Sequence, residues 1–260
     1  MNALILSSHD AENGRLSDDA RLAFENMWNL QLKSGDRKGS WAWLQFNLEP
    51  TEASDSAYYG ATLAAVAVGF APENYRASPE IQANLLSLRE YLNREYVNQS
   101  MINRVGLLWA AAKLPGLIEQ PRQQEIIKQV LSQERPDGGW ALSKMSGTWD
   151  GWNLYSLQRR LQRMVGNAIE VKSDAYATGL ITYCLQQAGV SRENPQLHRG
   201  LVWLENNQDD TEGRWAAYAL NKAPKPNSIS DHFRSDAATS FAVLALTEKS
   251  KSESNRASIR

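Results

Sequence analysis

The chain has 260 residues, of which 42% are hydrophobic and 22% charged, and its formal net charge is −1. This balance is ordinary for a globular protein and argues against binding to nucleic acid through a strongly charged surface. Cys184 is the single cysteine, which excludes an internal disulfide, and the three histidines stand at no zinc-like spacing. We therefore expect neither a metal nor a cofactor. No apolar run approaches the roughly 20 residues needed to cross a bilayer, so we predict no transmembrane segment and a cytoplasmic location by default.

In chain order, the sequence predicts two alternating kinds of helix. Amphipathic segments lie near residues 17–33, 81–96, 121–134 and 193–208. Segments that are apolar nearly all round lie near residues 54–69, 99–113, 173–189 and 235–247. An outer ring of amphipathic helices around an inner ring of apolar helices satisfies both patterns. No stretch shows the β-branched alternation of a strand, so we expect almost no strand content.

Three regions fall outside this alternation. Residues 1–16 are typical of the end of a preceding helix or of a linker, so the repeat domain is predicted to span residues 17–248. Residues 141–172 form a long insertion with Trp149 and Trp152, which either covers the mouth of a cavity or is a surface excursion. Residues 249–260 are polar and predicted to be disordered.

A short signature marks three of the amphipathic segments. In each, a glutamine is followed after a turn by Gly-x-Trp. The three pairs of glutamine and tryptophan are Gln31 with Trp41, Gln133 with Trp140, and Gln208 with Trp215. This recurrence predicts a repeat protein with about four pairs of helices.

A Ser-Asp pair precedes three of the apolar segments, at residues 54–55, 173–174 and 235–236. Serine is a preferred residue at the N-cap of a helix, and aspartate in the first turn interacts favourably with the helix dipole. We therefore expect Ser54, Ser173 and Ser235 to be the N-caps of the three inner helices.

These residues resemble the squalene–hopene cyclase and oxidosqualene cyclase families. The hallmark of those families is a repeated Lys/Arg-Gly…Phe/Trp-Leu…Gln…Gly-x-Trp motif. The matching positions are Arg199, Gly200, Trp203, Leu204, Gln208, Gly213 and Trp215. The resemblance implies an all-α fold, an α/α toroid with two concentric rings of helices, here with fewer helix pairs than a closed toroid. It also implies that the signature residues brace the outer helices.

The resemblance also implies a site for an isoprenoid, in a cavity lined by the inner helices. Cyclisation in the family begins with protonation of an alkene or epoxide by an Asp-x-Asp-Asp cluster, which this sequence lacks. Asp174 is the candidate catalytic acid. The alternative is that Asp174 is a charge in the first turn of a helix, where it interacts with the helix dipole. Asp55 and Asp236 occupy the same place in their repeats, and this recurrence favours the alternative because a catalytic acid is needed only once.

Aromatic residues of the inner helices are candidate ligand-binding residues, because aromatic rings hold isoprenoids through apolar contact and cations through cation–π attraction. These candidates are Tyr58, Tyr59, Trp109, Tyr176 and Tyr183. Plain core packing is the alternative for each of them. The Asp209–Asp210 pair is predicted to lie in a solvated turn rather than to bind a metal.

Three hypotheses of function follow. The first is a terpenoid cyclase-like enzyme, an isomerase, or the remnant of one, acting on a polyisoprenoid in the central cavity. The second is a non-catalytic toroid that binds an apolar ligand or a protein segment. The third is a scaffold domain of a longer polypeptide. The resemblance leaves peripheral contact with a membrane surface open in all three.

Overall fold

The computed structural model describes residues 1–46, 50–146, 172–218, 220, 225 and 227–248. Within these ranges the chain forms α-helices and short 3₁₀ turns without a β-strand, which confirms the prediction of an all-α protein. None of the helices in the described ranges is both long and apolar enough to cross a membrane. Residues 147–171 of the predicted insertion, with both of its tryptophans, and the predicted tail 249–260 lie outside the described residues.

Ten α-helices are present in the described ranges. They are α1 Asn2–Asn13, α2 Asp18–Asn29, α3 Ser56–Phe70, α4 Gln82–Glu95, α5 Met101–Lys113, α6 Gln120–Leu131, α7 Leu142–Met145, α8 Ala175–Gln187, α9 Pro195–Asn206 and α10 Ile229–Thr247. Short 3₁₀ turns lie at Tyr75–Ala77, Pro79–Ile81 and Tyr96–Asn98. The helices α2, α4, α6 and α9 correspond to the predicted outer helices, and α3, α5, α8 and α10 correspond to the predicted inner ones. The words outer and inner refer below to these two predicted classes.

The chain divides into two compact units. The first consists of residues 1–99 and 103–126, and the second of residues 100–102 and 127–260. In the first unit α1 packs on α2 and α3, and α3 is buried from Ser56 to Val68. In the second unit α8 packs on α9 and α10 and is buried along nearly its whole length. The inner helices α3 and α8 are therefore covered on all sides, as their apolar sequences predict.

The predicted serine N-caps are wrong at α3 and α8. Asp174, not Ser173, is the N-cap of α8, and its Oδ1 accepts a hydrogen bond from the Ala177 N–H at 2.8 Å. The carboxylate reaches the first-turn N–H groups, so the helix begins one residue later than predicted. At α3 the N-cap is Asp55 rather than Ser54, and its side chain makes no capping hydrogen bond.

The start of α10 also differs from the prediction. The helix begins at Ile229, so Ser235 lies inside it rather than at its N-cap. Ser228 is the cap, because its hydroxyl oxygen accepts a hydrogen bond from the Asp231 N–H at 3.3 Å. A second capping residue upstream thus lengthens the helix by about two turns beyond the predicted start.

Candidate functional site

The three Gln…Gly-x-Trp signatures close turns of different length with the same pair of backbone hydrogen bonds, and we call each of them a signature turn. In each, a residue shortly after the glutamine donates its N–H to the carbonyl of the residue between the signature glycine and the tryptophan. The carbonyl of that same donor residue accepts a hydrogen bond from the N–H of the signature glycine. The two N···O distances are 2.8 and 2.9 Å at Leu32, 3.0 and 2.9 Å at Arg135, and 2.9 and 2.7 Å at Asp209. The signature glycines are Gly39, Gly138 and Gly213, with φ of 93°, 91° and 68°. This left-handed backbone is the reason why glycine occupies the position.

The signature tryptophans fasten each turn to the preceding outer helix. The indole N–H of Trp41 donates to the Met27 carbonyl at 2.6 Å, in the last turn of α2. Trp140 donates to the Val130 carbonyl of α6 at 2.9 Å, and Trp215 donates to the Leu204 carbonyl of α9 at 2.8 Å. The last carbonyls of a helix have no partner within the helix, so each indole satisfies one of them.

The second and third signature turns are also attached to the inner helix that follows. The backbone N–H of Trp140 donates to the Thr178 hydroxyl of α8 at 3.0 Å. The backbone N–H of Trp215 donates to the Thr239 hydroxyl of α10 at 3.0 Å. Thr178 and Thr239 therefore hold equivalent positions in the repeat, and sequence reasoning did not single out either of them.

The signature glutamines differ among themselves. The amide of Gln31 donates to the Gly39 carbonyl at 3.0 Å and to the Asn84 carbonyl of α4 at 2.9 Å. The amide of Gln208 donates to the Gly213 carbonyl at 2.6 Å. Gln133 lies exposed on the surface. In two of the three signatures, the glutamine side chain thus donates to the carbonyl of the signature glycine and closes the turn.

Arg199 and Gly200, which begin the third motif, pack on the signature turn that ends at Trp140. Arg199 makes a two-pronged ion pair with Glu134, with N···O distances of 2.6 and 2.5 Å. A Cβ atom at Gly200 would lie 2.6 Å from the Trp140 ring and 2.7 Å from the methyl group of Thr182. Only a residue without a side chain permits this approach, so the motif joins one repeat to the next.

Asp174, the predicted catalytic acid, is buried at the start of α8 and is only 1% exposed. Its Oδ1 caps the helix through the Ala177 N–H, and its Oδ2 accepts a hydrogen bond from the Leu142 N–H at 2.7 Å. Burial raises the pKa of Asp174 from 3.8 to about 6, although hydrogen bonds from backbone N–H groups, including those of Ala177 and Leu142, lower it in part.

These contacts give Asp174 two structural functions. The carboxylate begins α8 and also holds the chain at Leu142, where α7 begins. Its backbone N–H donates to the Trp140 carbonyl at 2.9 Å, so the carboxylate stands directly beside a signature turn. The nearby carboxylate of Asp137 accepts a hydrogen bond from the Ser173 hydroxyl at 2.7 Å. The equivalent aspartates differ, since Asp236 is exposed and Asp55 accepts a hydrogen bond from Asn103 at 2.9 Å.

Two of the five candidate aromatic residues meet in the second unit. Tyr176 and Tyr183 of α8 both contact Phe241 of α10, with ring centroids 5.7 and 6.4 Å apart. Tyr176 and Phe241 are half-buried, whereas Tyr183 is buried. Phe241 was not among the predicted ligand-binding residues. The spacing of the two tyrosines, two helical turns apart, was the available signal that they share one face of α8.

The other three candidate aromatic residues belong to the first unit. Tyr58 is fully buried on α3, and its hydroxyl donates to the Leu92 carbonyl of α4 at 2.7 Å. Burial raises the pKa of the Tyr58 hydroxyl above its ordinary value. Tyr59 on α3 and Trp109 on α5 are buried as well. Tyr58 therefore ties α3 to α4, a role in the core of this unit.

The described residues contain no group of three histidine, cysteine or acidic side chains that could hold a metal ion. Asp209 instead shapes its own turn, because its Oδ1 accepts hydrogen bonds from the N–H groups of Thr211 and Glu212, both at 2.8 Å. These bonds lower the pKa of Asp209. Cys184 is buried, which raises the pKa of its thiol above the ordinary value.

No protein-family model, curated protein or solved structure matches this chain. A proposal of function therefore depends on three local arrangements: the repeated signature turn, the contacts of Asp174, and the aromatic contacts between α8 and α10.

Proposed function

We propose that this chain is a terpenoid cyclase-like domain that holds an isoprenoid or another apolar ligand against its inner helices without cyclising it. The observation that carries the proposal is the cluster formed by Tyr176, Tyr183 and Phe241, hereafter the aromatic cluster. It lies between two inner helices, and two of its three rings remain partly open to solvent. Such rings offer apolar surface and a negative face to a ligand.

The proposed arrangement of the helices is an incomplete α/α toroid. Its support is the alternation of amphipathic and apolar helices, together with the three equivalent signature turns. Each turn links the end of one outer helix to the chain that follows, and two of them are bonded to the next inner helix. A repeated connection of this kind propagates one geometry from repeat to repeat.

The contacts of Asp174 support binding rather than catalysis. An acid that protonates an alkene must offer its proton to the substrate from a position in contact with it. Both oxygens of Asp174 instead accept backbone hydrogen bonds, and its side chain is almost wholly buried. A group that fixes two segments of backbone cannot turn toward a substrate without releasing them.

Geranylgeraniol and squalene are suitable probes, because both are isoprenoids without a charged group. We expect saturable binding of geranylgeraniol to the full chain by equilibrium dialysis. Mass spectrometry after incubation with squalene should find no cyclised product. Phe241→Ser should weaken binding about two- to tenfold, since one lost ring contact is worth about 0.5–1.5 kcal/mol.

Phe233→Ser is the matched control, because Phe233 is a phenylalanine of the same helix that lies outside the aromatic cluster and is 75% exposed. Binding by this control should equal that of the unaltered chain. Cyclised product would contradict the absence of catalysis and restore Asp174 as a candidate acid. Absence of binding, or an equal loss in both variants, would contradict the ligand site.

A scaffold domain is the second candidate function. It is favoured by the signature turns, whose tryptophans, together with Gly39 and Gly138, are engaged with neighbouring helices rather than with a cavity. If neither probe binds, this alternative replaces the first.

A further inference from the structure

Two arginines of the first unit lie over one tyrosine ring. The guanidinium carbon of Arg104, on α5, lies 4.9 Å from the centroid of the Tyr96 ring, and that of Arg122, on α6, lies 4.8 Å from it. Tyr96 follows directly after α4. Burial raises the pKa of its hydroxyl above the ordinary value, whereas the charges of Arg104 and Arg122 lower it in part. Both positive charges therefore act on the hydroxyl as well as on the ring.

The two arginines are held differently. Arg104 donates from Nε to the Gln99 carbonyl at 3.1 Å and from Nη2 to the Val97 carbonyl at 3.3 Å, so its charge is fixed beside the turn that follows α4. Arg122 is half-buried and donates from Nη1 to the side-chain oxygen of Asn93 at 2.7 Å. Among the residues that the structure describes, Asn93 is the only acceptor for Arg122, so its Nε and Nη2 remain available to a ligand.

The hydroxyl of Tyr96 is a buried donor without an acceptor. Tyr96 is only 6% exposed, and its hydroxyl oxygen has no hydrogen-bond partner within the described part of the chain. A buried polar group without a partner destabilises the fold, and such groups are rare in native proteins. The hydroxyl of Tyr58, which is also buried, shows the usual arrangement, because it donates to the Leu92 carbonyl at 2.7 Å. The Tyr96 hydroxyl therefore points to an acceptor outside the chain.

The chemistry of these groups selects an oxyanion. A guanidinium group offers parallel N–H donors that match two oxygens of a phosphate group, and a phenol hydroxyl adds a third donor. The positive charge of Arg104 favours an anion in the same place. Glu125, one turn after Arg122 on α6, opposes it, because its negative charge also acts on the Tyr96 hydroxyl and raises its pKa. Two positive charges thus outweigh one negative charge around the hydroxyl.

We propose that Tyr96, Arg104 and Arg122 form a binding site for a phosphate group, either free or in a small monoester. Since a single hydrogen bond holds the Arg122 guanidinium, this group turns to admit the phosphate to the Tyr96 hydroxyl, and both then donate to its oxygens. Arg104 contributes its fixed charge. The site lies in the first unit and shares no residue with the aromatic cluster, so it does not depend on the proposed apolar ligand.

Isothermal titration calorimetry of the full chain with inorganic phosphate, at constant ionic strength, tests the site. We expect saturable binding with a Kd of about 1 mM or below. Arg122→Gln should weaken binding at least about tenfold, because it removes charge-assisted donors. Tyr96→Phe should weaken it about three- to tenfold without lowering the free energy of unfolding in phosphate-free buffer, since the lost hydroxyl has no partner in the chain. Glu125→Gln should tighten binding about two- to threefold. Glycerol 3-phosphate in place of inorganic phosphate distinguishes the monoester from the free ion by its Kd.

Arg94→Gln is the matched control. Arg94 also lies over a tyrosine ring, 5.6 Å from the Tyr91 centroid, but it is exposed and forms an ion pair with Glu95. This variant loses the same charge as Arg122→Gln and should bind phosphate like the unaltered chain. Equal weakening in both variants would show unspecific attraction and overturn the proposal. Absence of saturable binding up to about 10 mM of either phosphate compound would also overturn it. So would a Tyr96→Phe variant that is less stable but binds phosphate unchanged.

Discussion

Replacing Gly39 by alanine should lower the free energy of unfolding by about 3 kcal/mol. Gly39 has a φ of 93°, a left-handed conformation in which a side chain costs about 1–2 kcal/mol. In addition, a Cβ atom there would lie 2.0 Å from the backbone carbonyl oxygen of Ser87 on α4. Backbone cannot rotate away as a side chain can, so α4 must move and lose packing. Urea unfolding followed by circular dichroism measures the loss.

Gly35→Ala is the matched control for the signature glycine. Gly35 lies in the same loop and has a φ of 74°, but a Cβ atom there would meet nothing within 4 Å. Alanine should therefore cost only the backbone strain, about 1 kcal/mol. Equal losses at Gly35 and Gly39 would mean that the signature turn does not press against α4.

Removing the carboxylate of Asp174 should be comparably damaging. Asp174→Ala deletes the cap of α8, which typically contributes about 1 kcal/mol. It also leaves the buried Leu142 N–H without its partner, which costs about 1–3 kcal/mol. We expect a total loss of about 3 kcal/mol in thermal or urea unfolding. A loss below about 1 kcal/mol, the size of a cap alone, would contradict the second role of Asp174 at Leu142.

The titration of Asp174 should make the free energy of unfolding depend on pH. Burial raises its pKa in the folded chain from 3.8 to about 6, so folding favours the protonated form. The stability that this group contributes is fully present below pH 3.8 and is lost as the pH rises through about 6. Asp174→Asn removes the titration while keeping the shape of the side chain.

The measured quantity is the free energy of unfolding of the original chain minus that of the Asp174→Asn variant. Titrations shared by both proteins, such as that of Asp10, cancel in this difference. The difference should fall between about pH 4 and pH 6.5 and remain constant above it. A difference that rises with pH would mean that the backbone hydrogen bonds outweigh burial and lower the pKa of Asp174.

Sequence patterns predicted most helix positions because burial here follows helical periodicity. The helix α1 shows where the patterns fail. The sequence predicts the end of a preceding helix or a linker over residues 1–16, whereas a regular helix spans Asn2–Asn13. The buried positions Ala3, Ser7 and Asp10 have helical spacing, but two of them are polar. Asp10 is accommodated because its carboxylate accepts hydrogen bonds from the backbone N–H and the hydroxyl of Ser17.

The candidate site was less predictable, because its contacts join residues that are distant in the sequence. The sequence indicates that Asp174 lies at a helix start, but it predicts Ser173 as the cap, whereas Asp174 is itself the cap. Its bond to Leu142 joins residues 32 positions apart and has no local signal. Phe241 likewise gains its importance only from Tyr176 and Tyr183 on another helix.

The exchange rate of the indole N–H protons is the most direct measure of the signature turns. Trp140 and Trp215 are buried, and their indoles donate to the carbonyls of Val130 and Leu204. In nitrogen-15 NMR spectra, assigned by single Trp→Phe variants, we expect both indole protons to exchange with deuterium only when the surrounding helices unfold. Exchange of either proton at the rate of free tryptophan would contradict the claim that these tryptophans fasten the repeats.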